Sequence, residues 1–263
     1  MQKSFSQWFL GLALIGYAIG CLVLVFMLSL HPLSGKIDSD VLTSNTLLPD
    51  LTAINQPLER VQLFIEIMKP LVEQKNELLL STRERLLQIK QEVDQKHVLG
   101  FVDREQLNRL REDFSVNIED YPSDKQAIEV LLSRVDIIPP AMVIAQAAIE
   151  SGWGTSLFAQ EGNNLFGEWC FTKGCGIVPT RRAASATHEV RKFDSIEDSI
   201  NSYYRNINTN NAYRNLRDLR AKIRNDEAKF KAAVLAEGLG KYCGRGPVYI
   251  TEVRSLIRAT NLE

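Results

Sequence analysis

The chain shows almost no imbalance of charge: 31 Lys/Arg stand against 32 Asp/Glu, a formal net of −1. Nucleic-acid-binding proteins usually carry a clear basic surplus, so the composition argues against that class. Cysteine is scarce, with four among 263 residues. His188 alone offers a further ligand near the Cys170 and Cys175 pair, too few for a zinc site, and no metal is expected. Neither an internal repeat nor a low-complexity tract is present, which removes solenoids and disordered tails from consideration. What is present is length and apolar content. A chain with 45% hydrophobic residues has ample surface for a core and room for one or two domains. The charge that exists is uneven: residues 170–263 hold 17 Lys/Arg and 10 Asp/Glu, the remainder 14 and 22. Solvated helix faces account for such a bias as well as an anionic polymer does.

Charge is wholly missing from Trp8 to Leu30, a run of 23 residues. About 20 apolar residues cross a bilayer as a helix, whereas a secretory signal has an apolar core of about 7–15. No small-residue cleavage site follows the run, where His31, Pro32 and Leu33 stand. Ala18-Ile19-Gly20-Cys21 is a poor lipoprotein signal. Residues 1–31 therefore read as an uncleaved transmembrane anchor in the inner membrane, with the remainder on the periplasmic side. In that oxidising compartment Cys170 and Cys175 are expected to form a short disulfide.

Residues 32–57 carry Pro32, Gly35, Pro49 and Pro57 among Ser, Thr and Asn and read as a loose linker. Apolar positions Val61, Ile65, Met68 and Val72 open a helical leader over 58–125. Pro70 is expected to kink or split it, and Asp103 to cap its second helix. The leader bears no catalytic constellation and reads as a brace. The remaining 126–263 changes character. Pro139 and Pro140 suit a helix start. The Ala-rich run that follows is apolar on nearly every side and belongs in a core. Gly152 is placed to end it. Short aromatic segments between Asn163 and Phe193 suggest a small β-hairpin lobe, and Ser195 or Asp194 caps another helix. The fold class is α+β, mainly helical.

One acid interrupts the apolar run. Glu150 has Gln146, Ala147, Trp153 and Gly154 at its helical neighbour positions, none of them cationic. Desolvation and the negative end of its own helix both favour the protonated acid. Such a group can protonate a leaving alkoxide, as glycosidic cleavage requires. Trp153 and Phe166 are candidates for stacking on sugar faces, with Phe166 expected to pack instead, Asn164 for a cleft floor, and Tyr204 for reaching the groove.

The segments "AQAAIESGWGTS", "NNLFGEW" and "VRKFDSIEDSINSYYRNINTN" resemble the glucosaminidase domains of glycoside hydrolase family 73. The flanking "RVDIIPPAMVIAQ" and the helical leader look most like its Bax family. The resemblance implies a lysozyme-like catalytic domain that hydrolyses the β-1,4 bond after N-acetylglucosamine in peptidoglycan strands, without a cofactor. It maps the general acid onto Glu150 and a second carboxylate of the β-lobe onto Glu189, with Glu168 as the alternative. It also places Tyr242 of "GKYCGRGPVY" in the cleft. Two other readings stay open: a lytic transglycosylase, which needs one acid, and a non-catalytic membrane-tethered module that binds peptidoglycan.

Overall fold

The computed structural model describes residues 46–96, 98–180, 182 and 185–261. The apolar run Trp8–Leu30 lies outside these residues. Among the described residues no helix is long and apolar enough to cross a membrane.

The chain enters through a strap, Thr46 to Ile54. It was expected as linker and is instead fixed. Leu48 and Leu51 are buried, and each such leucine contributes about 1.5–3 kcal/mol. The Leu48 N–H donates to Asn163 Oδ1 at 3.2 Å, and the Thr46 carbonyl accepts from the Ile196 N–H at 3.0 Å. Helix α1, Pro57–Lys96, follows as one 40-residue rod. Pro70 sits inside it on the solvent side and does not split it. Phe64, Met68, Val72, Leu79, Leu86 and Ile89 of α1 are buried along one face, the stripe by which a helix docks. Helix α2 spans Phe101–Asp113. Its cap is Gly100, not Asp103, and makes no side-chain bond. Asp103 pairs instead with Arg85 of α1, a stronger partner than a backbone N–H in the first turn.

Helix α3, Asp124–Arg134, is capped by Ser123. Helix α4, Pro140–Ser151, begins behind Pro139 and ends at Gly152, whose φ of 60° closes the helix in the left-handed region. Nine of its residues are buried, Gln146 among them. The long rod α1 packs against both α3 and α4, so the leader builds part of the core rather than merely touching it. Helix α5, Leu157–Gly162, leads into the lobe. The lobe is a three-stranded antiparallel sheet and not a single hairpin. Its strands are β1 Trp169–Cys170, β2 Gly176–Ile177 and β3 Glu189–Arg191, with β3 in the middle. Cys170 and Cys175 are joined by a disulfide across the β1–β2 turn. Helix α6, Ile196–Thr209, is capped by Ser195, whose Oγ accepts from the Asp198 N–H. Helices α7 Arg214–Ile223, α8 Ala232–Leu235 and α9 Pro247–Thr260 complete the chain, the last packed on α4.

A charge cluster fixes the entry to α4. Asp136 is 2% exposed and faces three guanidinium groups: Arg83 from α1 at 3.7 Å, Arg220 from α7 at 3.7 Å, and Arg224, also of α7. Arg220, equally buried, donates to the carbonyls of Ser133 and Ile137, both at 3.0 Å, and to Asn208 Oδ1 at 2.8 Å. Nearby, Asn76 of α1 donates to the Ile138 carbonyl at 2.8 Å and accepts from the Ile138 N–H at 3.2 Å. Buried ion pairs give little net gain over apolar packing, but removing one partner leaves charge uncompensated. Asp136→Ala is therefore expected to cost about 3–5 kcal/mol, read as a lower midpoint in urea unfolding. A loss within about 0.5 kcal/mol, the size of an ordinary surface substitution, would show that the cluster does not hold this junction.

Candidate active site

The site grows from the last turn of α4. Ser151 winds the chain tightly there. Its hydroxyl donates to the Ala147 carbonyl at 2.6 Å and accepts from the Gly154 N–H at 2.8 Å. Gly152, Trp153 and Gly154 then take φ values of 60°, 57° and 76° in succession. Glycine occupies this region freely, whereas for Trp153 it costs on the order of 1–2 kcal/mol. The strap and α1 supply the compensation. A Cβ on Gly154 would lie 2.7 Å from Leu51 and 3.2 Å from Phe64, so only a glycine lets the leader approach this closely. The Trp153 ring meets Phe64 edge-on, with centroids 5.7 Å apart. Trp153 is thus half-buried against the leader rather than presented as a sugar platform.

Glu150, one turn before this knot, is half-buried. Its Oε1 is out of contact with water and has no hydrogen-bond partner. Burial pushes its pKa up; Tyr249 and the charge of Arg245 oppose that rise, while Glu252 adds to it. Among the described residues it forms no salt bridge. Above it passes the loop Asn163–Glu168. Gly167 of this loop has φ +67°, and a Cβ there would sit 3.6 Å from Glu150 Oε2.

The other expected site residues divide into two groups. Tyr242 stands close by: its ring stacks on Tyr249 at 5.2 Å, and its hydroxyl donates to the Phe166 carbonyl at 3.3 Å. Phe166 itself is buried and stacks on Tyr203 at 4.2 Å, so it fills core and offers no sugar face. Asn164 is 1% exposed. It donates to the carbonyls of Glu168 and Arg191 and accepts from the Glu168 N–H, clipping the loop to β3 instead of lining a floor. Tyr204 turns away from any groove. It is buried, and its hydroxyl donates to Asn76 Oδ1 of α1 at 2.8 Å, because the leader covers that face of α6.

The two candidate second carboxylates are both engaged. Glu189 is buried and accepts the N–H groups of Gly174 at 3.0 Å and Gly176 at 2.8 Å. These bonds, Gly174 first, hold its pKa below the usual carboxylate value. It serves as the anionic pin of the disulfide-closed turn, and no described contact joins it to Glu150. Glu168 accepts from the Ser202 hydroxyl at 2.6 Å and pairs with Arg191 at 3.3 Å. The Cys170 and Cys175 sulfurs lie beside Glu189 but are bonded to each other and present no thiolate to an ion.

Sequence reading missed Tyr249 and Gln146. Gln146 stood only as the uncharged residue four before Glu150, and Tyr249 as part of the last helix. The one available signal was a polar residue, Gln146, inside an otherwise apolar run. Burial there demands a partner, but the sequence does not say which.

Residues 125–262 match the family described as Glucosaminidase: Mannosyl-glycoprotein endo-beta-N-acetylglucosaminidase. The chain is also 30% identical over 202 residues to Protein bax of Escherichia coli (strain K12), covering 77% of this chain and 70% of that protein. No solved structure matches it.

The raised proton affinity of Glu150 has a stability consequence. A carboxyl whose folded-state pKa exceeds its unfolded value stabilises the fold below the unfolded pKa, and that contribution is lost as pH rises through the folded pKa. Glu150→Gln removes this titration. The variant is expected to melt at a higher temperature than the parent at pH 8 and close to it at pH 4, by calorimetry. A parent more stable than the variant at pH 8 would contradict an uncompensated buried carboxylate.

Proposed function

The chain belongs to the glucosaminidase family as a Bax-type member with a glycosidase-type domain, and on that premise we propose that it cleaves the β-1,4 bond after N-acetylglucosamine in peptidoglycan strands, with Glu150 as general acid. The observation that carries this reading is the Glu150 carboxyl itself. It is desolvated, forms no salt bridge among the described residues, and has one oxygen with no hydrogen bond. An acid kept protonated towards neutral pH delivers its proton to the departing sugar oxygen as the glycosidic bond lengthens. The sugar oxygen meets the carboxyl on its Oε2 side, which lies beside Gly167, while Oε1 stays buried. Gly167, exposed and without a side chain, leaves the loop side of the carboxyl open to a sugar ring.

The uncharged run Trp8–Leu30 supports a single-pass inner-membrane anchor, with the catalytic domain in the periplasm beside its polymeric substrate. The Cys170–Cys175 disulfide fits that oxidising compartment. No cofactor enters acid-catalysed cleavage of this kind.

A second reading is favoured by a specific observation. Glu189 is bound to loop N–H groups and Glu168 to Ser202 and Arg191. With both engaged, Glu150 stands as a single acid, the requirement of a lytic transglycosylase that ends its product in an anhydro sugar. Hydrolysis remains the main reading because the family match is to a glucosaminidase.

The full chain in detergent, incubated with purified sacculi, is expected to release fragments with a reducing N-acetylglucosamine end. Glu150→Gln is expected to slow release at least about 10²-fold, the usual worth of a general acid. Mass spectrometry of the fragments decides. Anhydromuramic ends select the transglycosylase, and undigested sacculi with the parent chain sink both readings.

A further inference from the structure

Of the three tryptophans in the chain, Trp153, expected as a sugar platform, is held against the leader. Trp169 of β1 is the exposed one among the described residues, with 54% of its surface open. An indole left in water gains nothing for the fold, and tryptophan is enriched where one molecule meets another. Exposure alternates from Trp169 through Cys170 to Phe171, at 54%, 4% and 72%. This is the period of a strand: Cys170 turns inward to its disulfide, and both rings share the outer face of the lobe.

The Trp169 ring does not swing freely. The His188 imidazole lies flat against it, with centroids 3.9 Å apart and planes 12° from parallel. His188 is anchored in turn. Its carbonyl accepts from Arg182 Nη1 at 2.9 Å, and the next residue, Glu189, is fixed by the N–H groups of Gly174 and Gly176. The backbone at Trp169 is equally well held. The Glu168 carbonyl accepts from the Arg191 N–H at 2.8 Å, and the Glu168 N–H donates to Asn164 Oδ1 at 3.0 Å. Gly167, on the other side of Glu168, is the residue beside Oε2 of Glu150. Two residues of chain span at most about 7 Å, so the indole is rooted within reach of a sugar adjoining the one at the acid.

We propose that Trp169, backed by His188, is a binding platform for the glycan strand, stacking on a sugar next to the one whose bond meets Glu150. The inference rests on the reading of Glu150 as the acid that cleaves peptidoglycan strands. The chemistry of the strand suits such a surface. In a β-1,4-linked strand of N-acetylated sugars the ring substituents stand equatorial, so each face of a ring presents C–H groups. Those hydrogens carry slight positive charge and meet the negative face of an aromatic ring. An indole offers the largest such face of any side chain, and one already held in place loses little rotamer freedom on binding. The ligand of this platform is the sugar backbone, which every strand repeats, and not the stem peptide.

The test uses the full chain in detergent, carrying Glu150→Gln to stop turnover, with glycan strands freed of their stem peptides by amidase digestion as the probe. Adding Trp169→Ala is expected to weaken binding about tenfold, the size of effect that one ring stacked on an aromatic side chain has. Trp169→Phe keeps an aromatic face and should lose less. His188→Ala removes the backing and should weaken binding by a smaller factor than Trp169→Ala. In the chain with Glu150 intact, Trp169→Ala should raise KM on sacculi by a similar factor and leave kcat near that of the parent. Unchanged binding in Trp169→Ala, or binding seen only while stem peptides are attached, would overturn the proposal. So would a fall in kcat at constant KM, the mark of a distorted loop beside the acid. If Trp169→Ala does not fold, unchanged binding in His188→Ala overturns it alone. The binding arm needs no turnover: Trp169-dependent binding with sacculi left undigested by the parent would uphold the platform and sink the hydrolase reading.

Discussion

A carboxyl group that forms no salt bridge among the described residues, set at the negative end of its own helix, is the constraint around which the rest of this domain is arranged. Water is the ordinary solution for such a group, and α4 denies it to one oxygen of Glu150. The helix is apolar on nearly every side, so it cannot solvate the acid from within. The polar groups that act on Glu150 come from far along the chain, Tyr249 and Arg245 among them. Two carboxylates of the lobe meet their needs elsewhere, Glu189 with backbone N–H groups and Glu168 with Ser202 and Arg191. The difference in surroundings raises the proton affinity of Glu150 and lowers that of Glu189, although both are glutamates.

Such a group needs a rigid frame, and α4 is held at both ends. At its start, Asp136 gathers three arginines from two helices, and Asn76 clips the Ile138 backbone. At its end, Leu48, Leu51 and Phe64 close over Gly154. In both places one of the holding parts is the leader. It supplies Arg83 and Asn76 at one end and Phe64, beside the strap, at the other. The leader is therefore built into the frame of the site, which a brace packed on an already complete domain would not be.

Much of the frame was readable in advance because it rests on local chemistry. The Pro139–Pro140 start, the Gly152 stop and the Ser195 cap each depend on a few adjacent atoms, and the structure has them where the residues called for them. Readings that depended on side-chain direction fared differently. Tyr204 and Asn164 are polar residues in a motif-rich region, which suggested a groove; burial gave them backbone and leader partners instead. Asp103 had the right type for a cap, but Arg85 was a better partner. The strap read as linker because the prolines and small polar residues of 32–57 around it outnumber Leu48 and Leu51. Two buried leucines are enough to dock a segment when a glycine opposite makes room.

The sequence by itself determined the helical frame, the family resemblance and the identity of the unusual acid. Periodicity, caps and the absence of a neighbouring cation are properties of residues a turn apart. Only the tertiary structure decided what surrounds Glu150, that Glu189 faces its own turn, and that Gln146 is hydrogen-bonded between Tyr203 and Tyr249. Those contacts join residues separated by 103 positions in one case and 57 in another. Hydrogen bonds over such separations depend on how whole helices pack, and no local pattern encodes the orientation of an amide between two tyrosines.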